Sequence, residues 1–307
     1  MCLLRSKGEL SVFARRQRGA DTVFAVQLMN LTRVAVAQLD LRDGDYEYNF
    51  DKLAQTVSRL APQHDLIVLP ETMTTGFAAR EDVERHAESL DGPTVTCLRK
   101  WSAEHATSIV CGIAERAADC LYNSAVVVSH GDLLFTHRKI QLWPDELSLF
   151  EPGKALQTAQ WRDTRLGALI CFDIEFPEPA RAIAAMGGGL LAVCDGNMEP
   201  YGLQQRSLAI ARAIENHMFV LVANRVGGGK KDHFAGRSVI VAPSGLIVAE
   251  AGAETEAILS ATIDLHEVGD ARSRFDYVAL RRIGLSKEHL SESSERGLRA
   301  MRMLLLD

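Results

Sequence analysis

Short apolar runs alternate with helix-length amphipathic stretches along most of this 307-residue chain. No other feature constrains the fold as much, because runs of about five apolar residues fit buried strands better than helices. Strands are predicted over 34–39 and 65–70, flanking a helix over 46–60 in which Phe50, Leu53, Val57 and Leu60 recur at helical spacing. A helix over 93–105 is followed by strands over 109–113, 123–128 and 133–139, the last two joined by Ser129-His130-Gly131-Asp132. Next come a strand over 166–170, a helix from Pro177 to Met186, a strand over 190–194, a helix over 203–216 and a strand over 219–224. Strands at 238–241 and 247–249 flank Pro243-Ser244-Gly245 as a hairpin, and 257–263 completes the sheet.

Strand-helix alternation argues for an α/β fold, while the strands between 109 and 139 require antiparallel or mixed pairing. Two sheets packed face to face with helices outside satisfy both patterns, and so does a single doubly wound sheet. With no fixed-period repeat and no long linker, one domain over 31–283 is expected. Residues 1–30, rich in Arg5, Lys7, Arg15, Arg16 and Arg18, read as a peripheral extension. Residues 284–307 read as a polar helical tail lying on another surface, at an oligomer interface.

Composition removes several functions. A net charge of -6 speaks against non-specific nucleic-acid binding, which needs a basic face. No apolar run approaches the ~20 residues of a membrane-spanning helix. The six cysteines form no CxxC pair and the nine histidines no HExxH, so neither a disulfide framework, a metal site nor a cofactor is expected. A reducing cytoplasm suits such a chain. Gly227-Gly228-Gly229-Lys230-Lys231 lacks the Ser or Thr and the spacing of a phosphate loop and reads as a flexible loop.

Chemistry concentrates at strand ends. Cys171 closes an apolar strand just before Phe172-Asp173-Ile174-Glu175-Phe176-Pro177, so its thiol sits on a strand-to-helix bend like a nucleophile elbow. A lone strand cysteine is otherwise a small core residue. Glu71 ends the 65–70 strand, where burial would raise its pKa and make it a usable base; taken alone, it reads better as a cap on the helix or turn that follows. Lys139 ends another strand, pointing opposite to Arg138 and Ile140, where its ammonium could face an oxyanion or solvent. Glu146 follows Trp143 and Pro144 on a rigid loop. Asn197 and Tyr201 lie on a turn-rich loop after a short strand, where pocket linings and plain surface turns are both common.

Taken together, three segments resemble the nitrilase superfamily of carbon–nitrogen hydrolases. These are Leu69-Pro70-Glu71-Thr72-Met73-Thr74-Thr75-Gly76-Phe77, His137-Arg138-Lys139-Ile140-Gln141-Leu142-Trp143, and the stretch centred on Ile170-Cys171-Phe172-Asp173. The likeness runs from Thr32 to Tyr277 and includes Arg212–Asn216 and Asn224-Arg225. The resemblance implies an α-β-β-α sandwich of two mixed sheets, dimerised through its helical layer, and a Glu71-Lys139-Cys171 triad. Phe-Asp after the cysteine, with the segments 142–146 and 195–202, resembles bacterial carboxamide amidases, some of them stereoselective. It implies a small carboxamide substrate, hydrolysed through a thioester to acid and ammonia, with Glu146 as a second acid in the site and the Phe172 N–H beside the oxyanion. Nitrile or N-carbamoyl hydrolysis on the same triad, and a silent small-amide binding protein, are the alternatives.

Overall fold

The computed structural model describes residues 31–282 and the backbone of 290–293 and 298–302. The expected extension over 1–30 lies outside the described residues. In chain order the elements begin β1 (Leu31–Asp40), α1 (Tyr46–Leu60), β2 (Leu66–Val68), α2 (Arg80–His86), α3 (Pro93–His105), β3 (Ser108–Ala117), β4 (Cys120–Ser129) and β5 (Asp132–Arg138). They continue β6 (Ala155–Trp161), β7 (Thr164–Ile170), α4 (Pro177–Ala185), β8 (Gly188–Cys194), α5 (Gly202–Asn216), β9 (Phe219–Ala223), β10 (Arg225–Gly228) and β11 (His233–Ala235). The remainder is β12 (Val239–Val241), β13 (Ile247–Glu250), β14 (Ala257–Asp264), α6 (His266–Arg274), α7 (Tyr277–Leu280), β15 (Leu290–Ser293) and β16 (Leu298–Arg302).

These strands make two eight-stranded sheets, one ordered β11-β10-β1-β2-β3-β4-β5 with β14 also on β1, the other β13-β12-β9-β8-β7-β6-β16-β15. Alternation along the strands assigns each residue to a layer. Val34, Val36, Val68, Val110 and Val127 face Ala168, Ile170, Ala192, Leu221 and Ile240 in a core between the sheets. Their neighbours Ala35, Ala37, Ile67, Ile109 and Val126 pack outward on Leu53 and Val57 of α1 and Val95 and Leu98 of α3. On the second sheet Leu169, Leu191, Val193 and Val220 pack outward on Ala180 and Ile183 of α4 and Ala209 and Ala213 of α5. The result is an α-β-β-α sandwich, which resolves the two architectures left open by pattern alone.

The helices start where their caps dictate. The Asp45 side chain accepts the Tyr48 N–H at 3.2 Å ahead of α1. Pro93 opens α3, and Ala106 at φ 49° ends it.

The tail is a correction. A helical tail was expected over 284–307, yet Leu290–Ser293 and Leu298–Arg302 are strands, and the second pairs antiparallel with β6 from Arg299↔Thr158 to Arg302↔Ala155. Without it β6 would be an edge with unpaired N–H and C=O groups, and sheet pairing outweighs local helical preference. The short elements α2, β10 and β11, and β6 with Gln157, Thr158 and Gln160 diluting its apolar pattern, were not expected either.

β1, β2 and β3 are mutually parallel, as are β7, β8 and β9. Their carboxyl ends, where α/β sheets place their ligand sites, carry Glu71 after β2, Cys171 after β7 and Asp195 after β8.

Candidate active site

Cys171 leaves β7 at φ 39°, the left-handed region that L-residues seldom adopt. Such a conformation costs on the order of 1–3 kcal/mol and must be held by its surroundings. Asp173 and Arg212 hold it. Asp173 accepts the Ile170 N–H at 3.2 Å, and Arg212 donates to the carbonyls of Ile174 and Glu175 at 2.9 Å each. The chain therefore makes a 3-10 turn, Cys171–Glu175, before α4 begins at Pro177. The expected bend is present, and a 3-10 turn separates the thiol from the start of α4.

Glu71, Lys139 and Cys171 come together. The Lys139 ammonium lies 2.7 Å from Glu71 Oε1 and 2.6 Å from Glu146 Oε2. Glu71 and Lys139 are 0% and 1% exposed, so this is an interior charge cluster. Arg138 faces the other way, paired with Glu115 at 2.5 Å, as strand alternation requires. Glu71 Oε2 has no hydrogen-bond partner among the described residues. A Glu71 oxygen and the Cys171 sulfur lie within 4.8 Å of each other. One oxygen of this carboxylate is thus committed to Lys139 and Asn123, and the other has no partner among the described residues. Gly112 makes the Glu71 turn possible, since a Cβ there would lie 2.6 Å from both the Glu71 Cα and the Pro70 carbonyl oxygen.

Above this group is a cavity of about 410 Å³. Cys171 and Lys139 are in its wall with Glu146, Phe172, Trp143, Asn197 and Tyr201, so every residue singled out in the sequence reaches it except Glu71, which lies beneath. Trp143 meets Phe172 edge-to-face at 5.1 Å and Tyr201 at 5.7 Å, a rigid apolar wall. Asn197 anchors its loop through its carbonyl, which accepts from Ala235 N at 3.0 Å, while its buried Oδ1 has no partner among the described residues.

Burial and charge set the protonation states. Burial raises the Glu71 pKa, with Glu146 adding to it and Lys139 opposing. Burial would strip the proton from Lys139, but the carboxylates of Glu71 and Glu146 more than reverse this and hold it as an ammonium. Burial, and then the charge of Glu71, push the Cys171 thiol well above its ordinary value. Cys171 therefore rests as a thiol, and a thiol in that state attacks only with a base to take its proton.

Three participants were missed. Asn123, inside β4, donates through Nδ2 to Glu71 Oε1 and Glu146 Oε1, 2.6 Å each, and so bridges the two acids. Its only signal was a polar residue leading an apolar strand. Asp173 accepts the N–H groups of Ile140 at 3.1 Å and Gln141 at 2.8 Å and meets His137 Nε2 at 2.8 Å, tying the Lys139 segment to the Cys171 turn. Asp195 is buried behind the thiol. It follows an apolar strand just as Glu71 does, and the same reasoning could have found it.

Glu71, Cys171 and Asp195 have donor atoms within 4.8 Å of one another, close enough to share a cation. The Lys139 ammonium already supplies the positive charge beside Glu71.

The family model for carbon-nitrogen hydrolases matches residues 33–273. Fold, buried charge cluster and this match agree: the chain belongs to the carbon-nitrogen hydrolase family. It is 39% identical over 257 residues to an (R)-stereoselective amidase from Pseudomonas sp., covering 83% of this chain and 93% of that protein. A CN-hydrolase superfamily protein from Xanthomonas campestris, solved with an arsenic adduct in its active site, superposes with a TM-score of 0.77 at 27% identity, over 83% of this chain and 99% of its own. An amidase from Nesterenkonia sp., solved with acrylamide added to its active-site cysteine, gives a TM-score of 0.71 at 26% identity, over 82% and 96%.

Proposed function

We propose that this protein is an amidohydrolase that cleaves a small carboxamide to a carboxylic acid and ammonia, with Glu71, Lys139 and Cys171 as its catalytic residues. The observation that carries this is the Glu71 carboxylate within 4.8 Å of the Cys171 sulfur, its Oε1 held by Lys139 at 2.7 Å and its Oε2 without a partner among the described residues. Amidase relatives and a family match over most of the chain support it.

Glu71 takes the thiol proton as the sulfur attacks the amide carbon. The oxyanion is held by Lys139 and by the Phe172 N–H, one of the first N–H groups of its turn and so without an intrahelical partner. Collapse breaks the C–N bond, and Glu71 returns the proton to the departing ammonia. The acyl group remains on Cys171 as a thioester. Water gives a proton to Glu71 and attacks the thioester; the acid leaves and the proton returns to the sulfur. Glu146, fixed by the Trp143 N–H at 2.8 Å, keeps Lys139 in place. Trp143, Phe172 and Tyr201 wall the acyl group, and Asn197 offers its free acceptor to the substrate.

Cys171→Ala should abolish ammonia release with the fold intact; normal turnover by that variant, purified free of wild type, would refute the assignment. Supplying a matched nitrile and amide tests the reaction class, since a higher kcat/KM on the nitrile would replace amide hydrolysis by nitrile hydrolysis.

The exposed apolar side chains Leu203 and Ile214 on α5, Phe275, and Tyr277 and Leu280 on α7 support a homo-oligomer joined through this helical layer. Among the described residues no helix is long and apolar enough to cross a membrane. Free thiols at Cys97, Cys111, Cys120, Cys171 and Cys194 suit a reducing, cytoplasmic setting.

A further inference from the structure

Behind the nucleophile lies a second buried carboxyl group that the mechanism above does not use. Asp195 is 1% exposed and closes the buried strand β8. Its Oδ1 accepts from Gln205 Nε2 at 2.7 Å and from the Gly196 N–H at 2.9 Å, which fixes the carboxyl plane. One of its carboxylate oxygens lies within 4.8 Å of the Cys171 sulfur. Its carbonyl accepts the Glu71 N–H at 3.2 Å, so one residue contacts both base and nucleophile. Gly196 is required at this spot: a Cβ there would fall 2.7 Å from Glu71 Oε2 and 2.4 Å from the Phe77 ring.

We propose that Asp195 is a positioning residue that sets how readily the Cys171 proton can be taken, and that its neutral form is the one competent for attack. As a carboxylate it accepts the S–H, draws the proton away from Glu71 and places a negative charge where the thiolate must form. As a neutral acid it donates to the sulfur and stabilises the developing thiolate. The inference rests on the reading of Cys171 as the nucleophile.

The groups facing Asp195 favour a titration near neutrality. Glu71 comes from the turn after β2, Cys171 from the turn after β7, and Cys194 precedes it on its own strand. Arg206 and Arg237 share a small cavity with it, and Arg206 is paired with Glu250. Burial first, then the charge of Glu71, raise the Asp195 carboxyl to about 7, while the Cys171 thiol, Gln205 and Gly196 pull it down. Lys139 is already balanced by Glu71 and Glu146 and does not neutralise a third acid.

The test is the pH profile of amide kcat/KM. The wild type should lose activity above about pH 7 as Asp195 ionises. Asp195→Asn cannot ionise and should donate permanently to the sulfur. It should lose the alkaline fall, so that its kcat/KM relative to the wild type rises about tenfold from pH 6 to pH 8, one decade per pH unit above the carboxyl's value. Gln205→Ala, which removes a donor from Oδ1 without touching the thiol, should move the alkaline limb upward by about one pH unit. A folded Asp195→Asn enzyme that keeps the wild-type alkaline limb overturns the proposal. If that variant does not fold, an unmoved limb in Gln205→Ala overturns it. Iodoacetamide labelling separates this from the underlying reading. A Cys171 that neither labels first nor matters for turnover refutes the nucleophile assignment; one that does both, with unmoved profiles, refutes only the role of Asp195.

Discussion

Asp173 and His137 form a fully buried pair, with Oδ2 and Nε2 2.8 Å apart, that joins the turn carrying Cys171 to the strand leading to Lys139. The same carboxylate accepts three backbone N–H groups, those of Ile140, Gln141 and Ile170. The spacing between ammonium and sulfur is therefore set from beneath, by a residue that is not in the cavity wall.

Asp173→Ala should leave His137 and these N–H groups without their acceptor inside the core. Unpaired buried polar groups cost about 1–3 kcal/mol each, so a loss of roughly 3 kcal/mol or more is expected. Urea unfolding followed by circular dichroism measures it. Asp173→Asn, which keeps one carbonyl acceptor, should lose less stability, and both variants should fall further in kcat than in KM.

Lys139→Met should lower kcat for amide hydrolysis by about 10²–10³-fold, the usual effect of removing one oxyanion donor. It also leaves Glu71 and Glu146 bridged by Asn123 with no cation between them. Glu71 should then hold its proton to higher pH, and the acid limb of kcat/KM should move upward. A variant with wild-type kcat would exclude Lys139 from the reaction.

The raised Asp195 carboxyl has a consequence for stability with a definite sign. Its ordinary value is 3.8 and its value in the fold is about 7, so the folded chain holds this proton more tightly than the unfolded chain. Its contribution is fully present below the unfolded value and is lost as pH rises from about 4 through about 7. At about 1.4 kcal/mol per unit, the loss is on the order of 4 kcal/mol. Asp195→Asn should thus gain stability relative to wild type between pH 5 and pH 8, read as the change in urea midpoint. An equal pH response in both proteins would contradict the shift.

Gly112→Ala should displace Glu71 without altering any charged group, because the added methyl would meet backbone atoms of Glu71 and Pro70. Overpacking of this kind costs about 1–3 kcal/mol. The expected outcome is a folded protein, somewhat less stable, with kcat reduced far more than its unfolding midpoint suggests.

Leu280→Asp, on the exposed apolar face of α7, should shift the protein toward monomer in sedimentation velocity if this helical layer joins the subunits. An unchanged sedimentation coefficient would place the interface elsewhere.

Local pattern carried much of this. Strand period and helix spacing are properties of neighbouring residues, so α1 over Tyr46–Leu60 and α3 over Pro93–His105 were legible to the residue. So were the strand ends bearing Glu71, Lys139 and Cys171, because an acid, a base or a thiol directly after an apolar run is visible in one dimension. The tail was not legible: nothing near Leu298 announces that β6 needs a partner.

What the sequence by itself determined is therefore the set of strands and the chemical groups placed at their ends. Only the tertiary structure decided which of those groups meet, that Asn123 bridges two acids, that Asp173 sets the spacing and that Asp195 lies within 4.8 Å of the sulfur. The physical reason is that charge, burial and hydrogen bonding act through space. Asn123 and Glu71 are 52 residues apart along the chain but 2.6 Å apart in the interior, and no period of 2 or 3.6 residues encodes that distance.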